Sequence, residues 1–150
     1  MKTLRKLQDR KDIIDRINSL TGDEKAEWGK MNVNQMVSHL VQSGEMPFEG
    51  TLPEHSSFAS RTIIKPLVLY VLPMPKEVKT RPEMDQQENG RKPVEFSGDK
   101  ALAIEYIERL GSLPHDHPCS YHPFFGKMSA REWARLGYKH IDHHLRQFGK

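Results

Sequence analysis

The stretch "SAREWARLGYKHIDHHLRQFG", residues 129–149, decides the fold of this chain. Ser129 is a good N-cap and Glu132 completes a capping box, so we predict a helix from Ser129 to Phe148, with Gly149 as a C-cap. At about 100° per residue, one broad apolar face carries Trp133, Leu136, His140, His144 and Gln147, with Ala134, Tyr138, Ile141 and Leu145 beside them. So broad a face predicts a helix at the centre of the molecule.

The three histidines near the end of this helix do not share one face. His140 and His144 lie one turn apart on the apolar face. His143 lies at its border, beside Lys139 and Arg146, and is expected to face solvent or to assist its neighbours. Two imidazoles at the i, i+4 spacing are able to reach one metal ion. The alternative is a pair of buried neutral histidines, both desolvated and both in need of hydrogen-bond partners.

A second helix supplies a further histidine. Asn32 as N-cap and Gln35 as its capping-box partner predict a helix that runs to about Ser43, with Gly44 as its stop. Its buried face consists of Val33, Met36, Val37 and Leu40. His39 lies at the edge of that face, a position typical of a side chain that faces a cavity. If the second and last helices pack together, three imidazoles with an open fourth position suit a catalytic divalent metal.

Two segments resemble the DinB/YfiT-like superfamily of metalloenzymes: "EWGKMNVNQMVSHL", residues 27–40, and "HPFFGKMSAREWARLGYKHIDHHLRQFG", residues 122–149. Together they cover about a third of the chain. The resemblance implies a four-helix bundle whose metal, nickel or zinc, is held by His39, His140 and His144. Some members of the superfamily are S-transferases or isomerases that depend on a low-molecular-weight thiol, and many are homodimers, so a homodimer is also expected.

Two further helices are predicted from apolar periodicity. The first covers Thr3–Leu20, with an inner stripe of Leu4, Leu7, Ile13, Ile14 and Ile17. The other lies in "SGDKALAIEYIERLGSL", residues 97–113, and ends at Gly111. Its inner stripe consists of Ala101, Ile104, Ile107 and Leu110.

The middle of the chain is less regular. "SRTIIKPLVLYVL", residues 60–72, is either a buried helix or a buried strand, and its length favours a helix with Pro66 at a kink or in the first turn. Residues 46–57 are expected to form a loop. Residues 73–98, rich in proline and in charge, predict an extended excursion that lies over a site as a lid. The predicted fold is all-α, a four-helix bundle of DinB/YfiT-like type with long loops, as a single domain over residues 1–150.

A competing cluster of metal-binding residue types lies in "PHDHPCSYHPFFG", residues 114–126. His115, His117, Cys119 and His122 form an H-x-H-x-C-x-x-H pattern that zinc accepts. The alternative is a surface loop in which Phe124 and Phe125 anchor the chain under the bundle and His122 borders the cavity. Cys119 is interpreted as an inert thiol rather than a nucleophile.

Composition narrows the function classes. The chain has 23 Lys and Arg against 20 Asp and Glu, a net charge of +3, so we do not expect nucleic-acid binding despite the basic "MKTLRKLQDRK", residues 1–11. One cysteine excludes an internal disulfide and predicts a cytoplasmic protein. The longest apolar run, residues 66–75, is far too short to span a membrane, so no membrane partner is expected.

The sequence therefore predicts a divalent-metal-dependent enzyme that acts on a small molecule. The resemblance implies a thiol-dependent S-transferase, and a hydrolase is the other reaction class. No catalytic residue is identified, and the alternative function is a non-catalytic bundle that binds a ligand or partner. The candidates for orienting the metal ligands are Glu45, Asp142, His143 and Gln147. Met36, Phe124 and Trp133 are expected either to line the cavity or to pack in the core.

Overall fold

A computed structural model describes residues 1–50, 52–76 and 81–150, and these form an all-helical structure. The helices are α1 (Leu7–Asn18), α2 (Val33–Glu49), α3 (Lys65–Tyr70), α4 (Phe96–Ser112) and α5 (Ala130–Gln147). A π-helical turn, Ser60–Ile64, leads into α3, and a short 3-10 helix spans Pro82–Met84. Within the described ranges the only β-type pairing is an isolated bridge between His122 and Gly126. The all-α prediction is confirmed.

The last helix, α5, packs against each of the other four α-helices. It begins as predicted, because the Ser129 side chain accepts a hydrogen bond from the Glu132 backbone N–H and the Glu132 carboxylate accepts one from the Ser129 backbone N–H. All nine residues of its predicted apolar face are buried except His140, which is partly exposed. The breadth of that face is what allows α5 to contact helices on several sides.

Helix α1 is shorter than predicted. Leu4 is fully buried but precedes the helix, and its backbone N–H donates to the Ala134 carbonyl of α5. Leu7 was expected on the inner stripe, but its side chain is 73% exposed. The prediction for Leu7 was wrong because the chain before the helix turns inward at Leu4, so the helix itself starts with its first residue outside the core.

Helix α2 runs past its predicted end. Gly44 lies inside the helix, where an added Cβ would lie 2.9 Å from the Tyr106 Cβ, so this glycine permits close packing on α4. Pro47 is also helical, and the true stop is Gly50, with φ of +58°. The predicted loop over residues 46–57 was therefore wrong for residues 46–49. Residues 33–43 of the helix and its capping box match the prediction.

Helix α4 has a slightly rotated inner face. Ala103, Ile107 and Leu110 are buried, whereas Ala101 is exposed, contrary to prediction. Gly111 does not end the helix; it lies where an added Cβ would meet the Leu4 carbonyl oxygen at 2.6 Å. The continuation of the helix through Gly111 places this glycine in close contact with the segment that precedes α1.

The apolar segment over residues 60–72 is helical, as its length indicated, but it is largely exposed. Of its α-helical part only Leu69 is fully buried. Pro66 lies in the first turn of α3, directly after the π-helical turn. The carbonyls at the end of α3 accept hydrogen bonds from the side chains of Arg135 and Lys139. The expectation of a buried element was wrong, since α3 lies on the outside of α5.

The segment that follows residue 80 crosses the outer side of α2. The Gln42 side chain donates to the Glu83 carbonyl at 2.8 Å, and the buried Gln86 donates to Gln42 Oε1 at 3.1 Å. Further on, Arg91 donates to Ser38 Oγ and pairs with the buried Asp99 at 2.8 Å. Part of the predicted lid, residues 77–80, lies outside the described residues.

No helix in the described part of the chain is both long enough and apolar enough to cross a membrane.

The connector between α1 and α2 is fastened to the end of α5. Burial alone would raise the pKa of Glu24, but hydrogen bonds from the Thr21 and Gly22 backbone N–H groups and from the Lys150 ammonium lower it to about 2. The ordinary value is 4.5, so the contribution of this carboxylate to stability is complete above pH 4.5 and is lost as the pH falls toward 2.

We expect Glu24→Gln to lower the free energy of unfolding by about 1–2 kcal/mol at pH 7, allowing for solvent screening. The difference from the unmodified protein should shrink below pH 4.5, as measured by urea unfolding across pH 3–7. Glu105→Gln, at an exposed position of α4, is the control and should change little. A difference that stays constant with pH would contradict the assignment.

Candidate metal centre

Three imidazole rings meet between α2 and α5. His39 Nε2 lies 3.1 Å from His140 Nε2, and His144 Nε2 lies 3.0 Å from the same atom. All three potential ligand atoms lie within 4.8 Å of one another. His39 and His144 are buried, and His140 is partly exposed. The structure thus brings together the three residues that the sequence singled out, from positions about a hundred residues apart.

Helix geometry accounts for two of the three positions directly. His140 and His144 are separated by one turn of α5, which places their rings 4.6 Å apart between centroids. His39 comes from the face of α2 between Met36 and Leu40, both buried. Its ring meets each of the other two edge-on, with centroids 5.0 and 4.9 Å away.

The tautomer of His144 is determined by its neighbours. The Gln147 amide nitrogen donates to the Trp28 carbonyl at 2.6 Å, so the Gln147 amide oxygen must face His144. His144 Nδ1 lies 2.9 Å from that oxygen and therefore carries the ring proton. The Nε2 atom of His144 consequently presents a lone pair to His140.

The segment after residue 80 covers the other side of His39. The Met84 backbone lies beside His39 and opposes the lowering of its pKa, but His39 Nδ1 forms no hydrogen bond within the described residues. A proton on Nδ1 leaves the His39 Nε2 lone pair directed at His140. Residues 84–85 therefore lie beside His39, and the role of this segment as a lid stays a prediction.

Burial keeps the imidazoles neutral. Desolvation lowers the pKa of His39 to about 4 and that of His144 to about 3, with the neighbouring His39 ring also opposing a charge on His144. The pKa of His140 is lowered well below its ordinary value by burial and then by the other two rings. At neutral pH all three therefore offer uncharged ligand nitrogens.

Hydrogen bonding alone leaves this cluster one partner short. His140 Nε2 lies against ring nitrogens of both His39 and His144, and His144 presents a lone pair there. One proton bridges only one of these two contacts at full strength, whichever tautomer His39 adopts. A bound cation would satisfy all three nitrogens. Imidazole nitrogens about 2.0–2.1 Å from one ion lie roughly 3.0–3.4 Å apart, so the two short separations observed here fit such a site.

His143 is placed differently from the prediction. It is buried, with its ring 5.8 Å from that of Trp28 and 5.2 Å from that of His144. The expectation of a solvent-facing side chain was wrong because the connector folds Trp28 over it. Burial, and then the nearby Arg146, lower the pKa of His143.

Of the other candidates for orienting the ligands, only Gln147 contacts one. Asp142 is engaged elsewhere, at 2.8 Å from Arg16. Glu45 makes no hydrogen bond to the cluster; burial and the nearby Glu49 raise its pKa.

The proposed cavity residues lie mainly in the core or on the surface. Met36 and Trp133 are buried, and the Trp133 indole N–H donates to the Ser120 carbonyl at 3.1 Å. Phe124 is 48% exposed. Sequence reasoning gave no role to Trp28 or Met84. Trp28 lies within the resembling segment at residues 27–40, which was the one signal for it, whereas nothing in the sequence pointed to Met84.

The competing cluster does not assemble. Within the described ranges, His39, His140 and His144 are the only group of three or more such residues close enough to share an ion. His122 Nδ1 accepts hydrogen bonds from the backbone N–H groups of Phe124 and Phe125, both at 3.1 Å, and burial lowers its pKa to about 4. Burial raises the pKa of the Cys119 thiol, in agreement with an inert role.

Comparison with known proteins identifies the family. The family model described as protein of unknown function, DUF1569, matches residues 1–150, and the chain belongs to that family. No curated protein and no solved structure matches the chain.

The contacts of His144 predict its tautomer. In metal-free protein at pH 7, nitrogen-15 NMR of the histidine rings should show His144 neutral, with its proton on Nδ1. Gln147→Leu removes that acceptor and leaves the buried N–H unsatisfied, which should cost about 1–3 kcal/mol of stability. Gln8→Leu, at an exposed position of α1, is the control. An Nε2-protonated His144 in the unmodified protein would contradict this arrangement.

Proposed function

We propose that this DUF1569 protein binds a divalent metal ion, nickel or zinc, through His39, His140 and His144, and uses it in chemistry on a small molecule. The observation that carries the proposal is the approach of two other neutral imidazole nitrogens to His140 Nε2: His39 Nε2 lies 3.1 Å away, and His144 Nε2 lies 3.0 Å away with its lone pair directed at that atom. Bound there, the metal supplies Lewis acidity toward a substrate oxygen or sulfur.

The surrounding residues have distinct tasks in this proposal. Gln147 holds the His144 ring in the tautomer that ligation requires, and Trp28 holds Gln147. Residues 81–91 keep water away from His39, which preserves its neutral state. His140, the most exposed of the three, marks the side from which a small molecule reaches the centre.

The reaction class rests on the resemblance to the DinB/YfiT-like superfamily. We propose an S-transferase that uses a low-molecular-weight thiol, or a hydrolase, within a four-helix bundle of that type. A single domain over residues 1–150, a homodimer and a cytoplasmic location belong to the same hypothesis.

The second candidate is a non-catalytic protein that binds a ligand or partner. One observation favours it: among the described residues, no carboxylate forms a hydrogen bond or ion pair with any of the three histidines. The centre therefore lacks an obvious general base of the kind that hydrolysis employs.

Metal analysis tests the proposed ligands. Protein purified without chelators, or loaded with nickel or zinc, should hold about one ion per chain, measured by elemental analysis and calorimetry. Alanine at His39, His140 or His144 should lower affinity by about a hundredfold or more, and Gln147→Leu by about 10–100-fold.

The matched control is His117→Ala, which removes an imidazole from the competing cluster and should leave the affinity unchanged. Loss of metal in that variant would favour the loop site. Folded protein that takes up neither metal would favour the non-catalytic candidate.

The reaction class is tested on metal-loaded protein. Thiol transfer is measured with glutathione and a chromogenic aryl halide, and hydrolysis with nitrophenyl esters. We expect one of these activities, and its loss in His140→Ala but not in His117→Ala. Metal-loaded protein whose rates equal those of His140→Ala in both assays would contradict the enzyme and support a binding role.

A further inference from the structure

A concave site lies away from the three histidines and is lined by positive charge, whereas the histidines are neutral. Its volume is about 390 Å³, within the range of small-molecule pockets. The lining comes from the N-terminal segment, the end of α3, the loop after α4 and the first half of α5: Met1, Thr3, Arg5, Lys6, Tyr70, His115, Arg131 and Arg135. Four of these residues are basic and none is acidic.

The basic side chains of this pocket are not neutralised by the protein. In the part of the chain that the structure describes, Arg5, Lys6, Arg131 and Arg135 form no ion pair, although Arg10, Arg16, Lys65 and Arg91 all do. Like charges gathered around one cavity repel one another at a separation where solvent screening is incomplete. An anion bound among them would relieve that repulsion.

Two of the guanidinium groups are already held in position. Arg5 Nη1 donates to the Leu113 carbonyl at 2.7 Å, and Arg135 Nε donates to the Leu69 carbonyl while its guanidinium lies 4.7 Å from the centre of the Tyr70 ring. Each retains further N–H donors. Because these side chains are fixed before binding, little side-chain entropy remains to be lost when an anion accepts their hydrogen bonds.

We propose that this pocket binds a small anionic ligand that carries phosphate groups. Planar guanidinium groups match the paired oxygens of phosphate, and several converging cations suit a ligand with more than one negative charge. The pocket also gives a role to the basic N-terminal residues, since Arg5 and Lys6 line a cavity rather than a flat surface of the kind that duplex DNA contacts. None of its lining residues contributes to the proposed metal centre, so the two proposals are independent.

The test uses inorganic pyrophosphate as the probe, titrated into the full-length protein at low ionic strength by calorimetry. We expect saturable binding near one molecule per chain. Lys6→Gln combined with Arg131→Gln should weaken it by about tenfold or more, since hydrogen bonds to charged groups contribute that much each. Both positions are exposed, so folding is expected to survive.

Lys11→Gln, at an exposed position of α1, removes a charge outside the pocket and should leave the affinity unchanged. Equal weakening by Lys11→Gln would show an effect of net charge alone and overturn the proposal. Absence of binding, or binding lost in His140→Ala and retained in the Lys6 and Arg131 double variant, would also overturn it. The latter result would place the anion at the histidine centre.

Backbone amide shifts supply a readout that needs no variant. Pyrophosphate should move the NMR signals of Thr3, Tyr70 and His115, which come from three separate parts of the chain. Tighter binding of citrate than of pyrophosphate would change the ligand class to carboxylates, and tight binding of duplex DNA that displaces pyrophosphate would change it to nucleic acid. Either result would overturn the assignment to a small phosphate ligand.

Discussion

The desolvation of three imidazole rings in one small space is the constraint on which this structure depends. Burial makes a charged form costly, so the rings are neutral, and neutral rings each carry one donor and one acceptor that must be matched. Ring nitrogens of His39 and His144 both lie against His140 Nε2, which carries at most one proton. The cluster is therefore arranged to share a proton or a cation. The elements around it keep the three rings desolvated and neutral.

Irregular segments, rather than helices, complete that arrangement. The connector before α2 reaches the end of α5, where the Glu27 backbone N–H donates to the Gln147 carbonyl at 2.8 Å and Trp28 accepts from the Gln147 amide. The segment over residues 81–91 reaches α2 through Gln42. Both are held by specific polar contacts, which explains how segments without apolar periodicity keep a defined position beside the histidines.

Helix α5 separates two chemically opposite surroundings. Its inner face carries neutral histidines among buried apolar side chains, and its outer face carries three arginines and Lys139. Arg135 and Lys139 use part of that charge to satisfy the last carbonyls of α3, which holds this exposed apolar helix against α5. One helix thus supports a desolvated nitrogen cluster on one side and a cationic pocket on the other.

Local sequence signals determined much of this protein. The capping boxes at Asn32 and Ser129 set the starts of α2 and α5, because the side chains that satisfy the first backbone N–H groups lie within three residues of them. The helical period of α5 likewise assigned His140 and His144 to one face. Capping boxes and shared helix faces are both predictable from sequence because each depends on residues about one turn apart. The all-α class followed from the same kind of pattern.

Tertiary structure alone decided the remainder. The sequence predicts a helix stop at Gly44, but the structure packs Tyr106 against this glycine inside the helix. The apolar residues 60–72 are predicted to be buried, but α3 lies on the outside of α5. The burial of His143 under Trp28 and the contact of Met84 with His39 join residues distant in the chain through coil. Local propensity does not encode such contacts, because they depend on how segments distant in the chain pack together in the folded protein.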